Sequence, residues 1–269
     1  MLAGFLLSDE ITVDRDDSET RRVTKPTIRI GCAGWSLSRK DHASFPESGS
    51  HLERYAQIFN ATEINSSFHR PHRAETYARW AASVPAGFRF SVKLPKEMSH
   101  TLRLRACARP LQKFLGEIEG LGSRLGCVLI QLPPSFAYTR SAVAPFLRLF
   151  RRHFEGRAVL EARHATFFES AVEPVLREFE IGLVGSDPAV CIQGTTPGET
   201  GNVRYFRLHG SPRMYYSSYD EAFLQDLASK LMQRIRGKQT WCIFDNTAHS
   251  FAIPNALRLK EILRESQRG

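Results

Sequence analysis

The chain has 269 residues, of which 42% are hydrophobic and 10% aromatic, enough to bury a large core in one large domain or two smaller ones. Thirty-seven Lys and Arg against 28 Asp and Glu give a net charge of +9. This charge favours an anionic partner without choosing among phosphate, nucleic acid and a membrane surface. No stretch is long and apolar enough to cross a bilayer, so we expect a globular protein without a membrane partner.

Cysteine usage and the first residues indicate the cellular compartment. The five cysteines are odd in number, have no C-x-x-C spacing and mostly lie in apolar runs, which is typical of reduced core residues in a cytoplasmic protein. The apolar run 2–7 is followed by acids instead of the small-residue cleavage site of a signal peptide. We therefore expect a cytoplasmic location.

The first 26 residues differ in composition from the rest of the chain. Acids are concentrated between residues 9 and 19, and three bases follow before Pro26. This pattern predicts a flexible N-terminal extension over 1–26, and the remaining residues 27–269 are predicted to form a single domain.

From residue 27 onward, short apolar segments alternate with segments of helical spacing. The predicted strands cover 27–35, 61–68, 87–95, 127–134, 158–164, 181–187, 203–210 and 240–246. The predicted helices cover 51–59, 73–84, 106–121, 141–153, 170–179, 219–235 and 254–263. Only the sixth strand lacks a helix after it, because the Gly-, Thr- and Pro-rich composition of 188–202 is typical of a loop.

Eight strands alternating with helices indicate an α/β protein with the (β/α)₈ architecture of a TIM-type barrel, with a degenerate sixth βα unit. An open doubly wound sheet is the alternative. No G-x-G-x-x-G follows the first strand, so the dinucleotide site common in that alternative is not predicted.

The carboxyl ends of the predicted strands are polar, and active sites of such barrels lie at those ends. The polar residues there, with one tryptophan, are Trp35, Glu63, Asn65, Ser67, Lys93, Gln131, Glu161, Arg163, His164, Asp187, Arg207, His209, Asp245 and Asn246. Because side chains alternate along a strand, Glu161 and Arg163 share one face, and His164 points to the other if the strand stays regular.

Seven segments together resemble the domain-of-unknown-function family 72, also called YecE-like. They read IGCAGWS, YAQIFNATEINSSFHR, PAGFRFSVKLPKEMSH, LGCVLIQLPPSF, VLEARHATFF, YFRLHG and FDNTAHS, in this order. The resemblance implies a TIM-type barrel and leaves the activity open. It marks as the polar mouth Trp35, Glu63, Asn65, Lys93, Gln131, Glu161, Arg163, His164, Asp187, Arg207, His209 and Asn246.

Charge balance at this mouth leaves three interpretations. The four carboxylates Glu63, Glu161, Asp187 and Asp245 face the three cations Lys93, Arg163 and Arg207. Because guanidinium groups repel a metal ion, we predict no metal or other cofactor, although a divalent metal on Glu63, Glu161, Asp187 and His209 remains an alternative. A structural layer of salt bridges across the mouth is the second interpretation. The third is a cradle for an anionic substrate.

The anion cradle predicts an enzyme of hydrolase type or of lyase or isomerase type. Lys93, Arg163 and Arg207 would grip a phosphorylated small molecule, and acid–base chemistry would follow. The predicted catalytic residues are Glu161 as base, His209 as acid, and Asp187. The predicted substrate-binding residues are Trp35, Glu63, Asn65, Lys93, Gln131, Arg163, His164, Arg207 and Asn246.

A basic segment supports a different class of function. Residues 89–113 contain seven Lys or Arg and one acid, Glu97. This segment is either a solvated helix face, a surface that steers an anionic substrate, or a contact for nucleic acid phosphates. A nucleic-acid-binding protein or phosphodiesterase, and a non-catalytic binding or scaffold protein, therefore stand beside the enzyme hypothesis. The sequence predicts no oligomeric state.

Overall fold

The computed structural model describes residues 28–233 and 235–267, so the predicted extension over 1–26 lies outside the described residues. The strands are β1 Ile28–Cys32, β2 Ala61–Ile64, β3 Arg89–Lys93, β4 Leu125–Gln131, β5 Ala158–Glu161, β6 Ile181–Leu183, β7 Gly185–Asp187, β8 Val203–Leu208 and β9 Gln239–Phe244. The α-helices are α1 His51–Ile58, α2 Ala74–Ala82, α3 Ala108–Ile118, α4 Arg140–His153, α5 Val172–Glu178, α6 Glu221–Met232 and α7 Ala252–Glu265.

The strands form one closed parallel barrel made of two sheets, in the orders β2-β3-β4-β5-β6 and β7-β8-β9-β1. The sheets meet at β6 and β7, which are separated only by Val184, whose N–H donates to the carbonyl of Leu160 at 2.9 Å. They meet again where Ala33 pairs with Glu63. The sixth strand of an eight-stranded barrel is thus split in two, and the predicted TIM-type fold is confirmed.

The sixth βα unit is degenerate, as the loop composition predicts. Within the described residues, no α-helix lies between β7 and β8, and the connection contains only a short 3₁₀ helix at Ile192–Thr195. Seven of the eight predicted strands are two to four residues too long at their carboxyl ends. Residues 66–68 and 165–168 form 3₁₀ helices, because the chain leaves the sheet once the polar strand-end residues have been reached.

Apolar side chains fill the barrel in two layers. One layer packs the strands against the helices, and the other lies inside the barrel. The interior layer consists of Ala61, Cys127, Leu129, Val159, Val184, Val203, Tyr205, Trp241 and Ile243. All five cysteines lie in the described part of the chain and are unpaired, and four of them are buried. None of the described helices combines the length and the apolar character needed to cross a membrane.

The seam between β1 and β2 has a single β-bridge, and a tyrosine hydroxyl forms hydrogen bonds to backbone groups on both sides of it. Tyr55 of α1 accepts a hydrogen bond from Cys32 N–H at 2.7 Å and donates one to the carbonyl of Ala61 at 3.1 Å. Nearby, a Cβ on Gly31 would lie 1.9 Å from that carbonyl oxygen, so only glycine fits there. The seam therefore depends on the Tyr55 hydroxyl to satisfy backbone groups that a regular ladder would pair.

We expect Tyr55→Phe to lower the free energy of unfolding by about 2–4 kcal/mol, because it leaves two buried backbone groups without partners. Urea denaturation measures the change. Tyr77→Phe is the matched control, since Tyr77 is equally buried but its hydroxyl has no hydrogen-bond partner among the described residues. That change should be neutral or stabilising. Equal losses of unfolding free energy in the two variants would contradict the role of the Tyr55 hydroxyl in this seam.

Candidate active site at the barrel mouth

Arg207 lies at the centre of the mouth and is fully buried. Its Nε is 3.1 Å from Glu63 Oε2, and its Nη2 is 2.7 Å from Glu63 Oε1. Its Nη1 donates to Glu161 Oε2 at 3.0 Å, and its Nη2 is 2.9 Å from Asp245 Oδ2. One guanidinium thus joins carboxylates from β2, β5 and the end of β9. Burial disfavours its charge, but the three carboxylates outweigh burial and raise the pKa of Arg207.

Both carboxylate oxygens of Glu161 carry two hydrogen bonds. Oε1 lies 2.7 Å from His209 Nε2 and accepts from Arg163 Nη1 at 3.0 Å. Oε2 accepts from Arg207 and, at 3.0 Å, from Gln131 Nε2. Burial would raise the pKa of Glu161, but the charges of Arg207, His209 and Arg163 lower it well below its usual range. These contacts favour an orienting role for Glu161 over the predicted role as base, because a strongly stabilised carboxylate accepts protons poorly.

His209 is buried with a carboxylate at each ring nitrogen. Nε2 faces Glu161, and Nδ1 lies 3.1 Å from Asp245 Oδ2. Both nitrogens can be donors only in the imidazolium form. Burial alone would lower the pKa of His209, but the charge of Glu161 and the hydrogen bonds to both carboxylates raise it. The arrangement therefore favours the charged imidazolium, which is the form that the predicted acid needs.

Lys93 completes the cluster at the end of β3. Its side chain is almost fully buried, and its Nζ lies 4.2 Å from the centre of the Phe68 ring. Burial and the nearby charge of Arg207 lower the pKa of Lys93 to about 8, against the opposing effect of the cluster's carboxylates. This ammonium therefore loses its proton closer to neutral pH than an ordinary lysine does.

Seven of the twelve predicted site residues converge at the mouth, and the other five do not join this cluster. The converging residues are Glu63, Lys93, Gln131, Glu161, Arg163, Arg207 and His209. Asp187 lies at the end of β7. Its carboxylate accepts a hydrogen bond at 2.9 Å from the hydroxyl of Tyr219, a residue of the outer apolar layer. No described contact joins Asp187 to Arg207, so the structure does not support its predicted catalytic role.

Of the four remaining predicted residues, three have local structural partners. Asn246 donates to Asn255 of α7 at 2.9 Å, and Trp35 packs edge-on against Trp80 of α2 at 5.0 Å. His164 accepts from the N–H of Thr166 at 3.3 Å and caps the 3₁₀ helix after β5. The positions of His164 and Asn246 follow from alternation, because each directly follows a residue that points into the mouth, Arg163 or Asp245. Asn65 Oδ1 is buried without a partner among the described residues.

Sequence reasoning missed four contributors to the site. Asp245 counts among the strand-end carboxylates but is assigned no role there, although it bonds both Arg207 and His209. Tyr205 donates to Glu63 Oε2 at 2.9 Å, and its position two residues before Arg207 places both on one face of β8. Met214 and Tyr215 come from the loop after β8 and cover Arg163 and His209. No motif in that loop identifies them.

The donor set does not fit a divalent metal. Arg207 stands between Glu63, Glu161 and Asp245, where a cation shared by these carboxylates would lie. Among residues 28–233 and 235–267, no group of three or more His, Cys, Asp or Glu has an arrangement that could hold a metal ion. The guanidinium therefore has the charge and the oxygen contacts that a metal would otherwise have.

A family model described as "Protein of unknown function DUF72" matches residues 29–269. The chain belongs to this family. The UPF0759 protein YecE of Escherichia coli is 32% identical over 147 residues, which cover 54% of this chain and 52% of YecE. The match thus spans about half the length of that relative. The UPF0759 protein YunF of Bacillus subtilis is 24% identical over 273 residues, which cover 88% of this chain and 94% of YunF.

Solved structures support the fold of this DUF72 protein. A DUF72 family protein from Thermotoga maritima has a TM-score of 0.73 at 23% identity, and covers 88% of this chain and 99% of its own. Endonuclease IV from Thermus thermophilus has a TM-score of 0.56 at 10% identity with the same two coverages. Because both identities are low, these similarities establish a shared barrel fold and no shared activity.

We expect Arg207→Met to lower the free energy of unfolding by about 3–5 kcal/mol, because three buried carboxylates lose their common cation. Urea denaturation at neutral pH measures the loss. Arg258→Met is the control, since Arg258 also contacts three carboxylates, those of Glu221, Glu261 and Glu265, but on the solvent-exposed surface. Its effect should be much smaller. An Arg207 variant as stable as the wild type would contradict the central role of this guanidinium.

His209 should make stability depend on pH. Its pKa in the folded protein is raised above the unfolded value of about 6.5, so the folded state binds the extra proton more tightly. The stabilisation is fully present below that value and is lost as pH rises through the folded pKa. The difference in unfolding free energy between wild type and His209→Gln should therefore shrink from pH 6 toward alkaline pH. Urea titrations across this range test it, and a constant difference would contradict an imidazolium at this position.

Proposed function

We propose that this DUF72 protein is an enzyme that binds an anionic, phosphorylated small molecule at the carboxyl mouth of its barrel and acts on it by acid–base chemistry. One observation carries the proposal, namely the excess positive charge of the cluster. Three carboxylates, Glu63, Glu161 and Asp245, meet the cations Lys93, Arg163, Arg207 and protonated His209. An anionic ligand would neutralise the remaining charge.

Arg163 is the guanidinium best placed to contact such a ligand. Its Nη1 bonds Glu161, whereas its Nη2 has only the weak acceptor Met214 Sδ at 3.3 Å. The side chain is 11% exposed, so it is the part of the cluster nearest to solvent along β5. A phosphate oxygen is a much stronger acceptor than a thioether and would replace Met214. Arg207 would then hold the carboxylates in place and not grip the substrate itself.

Proton transfer is assigned to His209 and Lys93. His209 has the protonated form of an acid, and Glu161 and Asp245 orient its ring. Lys93 has a pKa of about 8 and becomes a base when it loses its proton. The reaction class stays within the hydrolase, lyase and isomerase types. No step of this proton transfer requires a metal. The unpaired cysteines support the expected cytoplasmic location of the protein.

Two other classes of function stay as alternatives. The basic segment 89–113 favours nucleic acid contact, which would weaken steeply as salt concentration rises. A salt-bridge layer without catalysis is favoured by the saturation of Arg207 and Glu161 with partners. The lowered pKa of Lys93 opposes that alternative, because a purely structural layer gains nothing from a poorly stabilised ammonium.

A thermal-shift screen with phosphorylated metabolites, inorganic phosphate and oligonucleotides at two ionic strengths tests the three alternatives together. We expect phosphorylated small molecules to raise the Tm. At a ligand concentration of 100 times Kd, the gain in free energy of unfolding should be about 2.7 kcal/mol. Arg163→Gln should weaken this binding about tenfold or more, since a hydrogen bond to a charged group contributes about 1.5–3 kcal/mol.

Arg105→Gln is the matched control, because Arg105 is an exposed arginine of the basic segment that makes no described contact with the mouth. Binding by this variant should equal that of the wild type. Oligonucleotides that bind more tightly than metabolites and lose affinity steeply with salt would favour the nucleic acid alternative. If no ligand changes the Tm, the remaining interpretation is a structural layer of salt bridges without catalysis.

A further inference from the structure

Lys93 differs from every other charged group in the cluster because it lacks a polar partner. Glu161, Arg207 and His209 use all their side-chain nitrogen or oxygen atoms in contacts with one another and with neighbouring groups. Among the described residues, Lys93 Nζ takes part in no hydrogen bond or ion pair, and its contact is the face of the Phe68 ring. Its lone pair, once deprotonated, is therefore free.

The surroundings of Lys93 favour this deprotonation. The titratable and charged groups that face it are Arg207, Glu63, Glu161 and Asp245 from four other strand ends, and His100 from the turn after β3. Burial and Arg207 dominate and lower its pKa to about 8. About a tenth of the protein then has a free amine at pH 7. Desolvation next to another cation is a known way of making a lysine nucleophilic.

A cleft next to Lys93 could admit a small anion. It has a volume of about 300 Å³, within the range of small-molecule sites, and lies between the segments that follow β2 and β3. The Phe68 ring lines this cleft and also covers Lys93 Nζ. The bases Arg70, Lys96 and Lys113 outnumber the acids Glu97 and Glu117 along the cleft. The Phe68 side chain is therefore shared by the cleft and the Lys93 amine.

We propose that Lys93 forms an imine with an aldehyde or ketone group of an anionic substrate, an inference that rests on the proposed function and narrows its substrate class. The neutral amine of Lys93 attacks the carbonyl carbon, and a C–N bond forms as the carbonyl π bond breaks. The two hydrogens of the amine leave with the carbonyl oxygen as water, and the C=N bond of the imine remains. Arg163 would hold the anionic group, and His209 would supply a proton to the departing oxygen and recover it from the amine nitrogen.

Lys260 provides an internal control for this chemistry. Burial, with the charge of Arg264, also lowers its pKa to about 8. Its Nζ, however, donates to the carbonyl of Ile58 and lies over the Phe59 ring, where α7 packs near α1. Lys260 therefore matches Lys93 in acidity but lies outside the mouth. A reagent that reports only acidity would modify both lysines, whereas an anionic carbonyl recognised by the mouth would modify Lys93.

The test treats the full chain with glyoxylate, an anionic aldehyde, or glycolaldehyde, a neutral one, in the presence of sodium cyanoborohydride. The reductant adds hydride to the imine carbon and leaves a stable secondary amine, which peptide mass spectrometry locates. We expect glyoxylate to modify Lys93 at least about tenfold faster than Lys260, because Arg163 at the mouth can hold the carboxylate of glyoxylate by a charge-assisted hydrogen bond. With glycolaldehyde the ratio should fall toward unity.

Two variants and one binding measurement complete the design. Lys93→Arg keeps the positive charge but removes the amine, so the mouth adduct should disappear while Lys260 is still modified. Lys260→Arg should leave the modification of Lys93 unchanged. Modification of Lys93 no faster than that of Lys260 by glyoxylate would overturn the inference. If phosphorylated ligands still raise the Tm in that case, the proposed function stands without the imine, and if they do not, both fail.

Discussion

A single buried guanidinium, that of Arg207, bonds three carboxylates that come from distant parts of the chain. Removing four charged groups from water is costly, and their mutual attraction offsets that cost only when all of them are in contact. Glu63, Glu161 and Asp245 can meet Arg207 together only if β2, β5, β8 and β9 stand in one register around the barrel. The cluster therefore disfavours barrels with shifted strands more strongly than apolar packing would, since a slip of one residue would bury unpaired charges.

Glu63 links this charge cluster to the closure of the barrel. Its backbone carbonyl accepts from Gly34 N–H at 2.9 Å, and it pairs with Ala33 in the bridge that joins the two sheets. Its side chain meanwhile holds Arg207 and accepts from Tyr205. The seam with a single bridge and the buried guanidinium of Arg207 thus depend on the same residue. Loosening of the seam would weaken the mouth, and disruption of the mouth would strain the seam.

Much of this architecture could be predicted from the sequence, because it depends on local patterns. The period of the apolar residues gives the strands and helices, and alternation along β5 correctly separates Glu161 and Arg163 from His164. Asp187 could not be placed in this way, because the break at Val184 and the partner Tyr219 are features of tertiary structure. The same holds for the Tyr55 hydroxyl in the β1–β2 seam, since no sequence pattern shows which strands will lack a full ladder.

The sequence also could not separate structural charges from reactive ones, since that distinction depends on distances between strands. In the sequence, each cation at the mouth is simply a basic residue near a strand end. In the structure, Arg207 contacts three carboxylates, whereas Lys93 contacts an aromatic ring. A layer built only for stability would gain from pairing Lys93 as well, because an unpaired buried ammonium opposes folding. The carboxylates are instead directed to Arg207 and His209, and this leaves the amine with a lowered pKa next to a cleft. That division favours a mouth in which the paired charges form a rigid support and Lys93 meets the substrate.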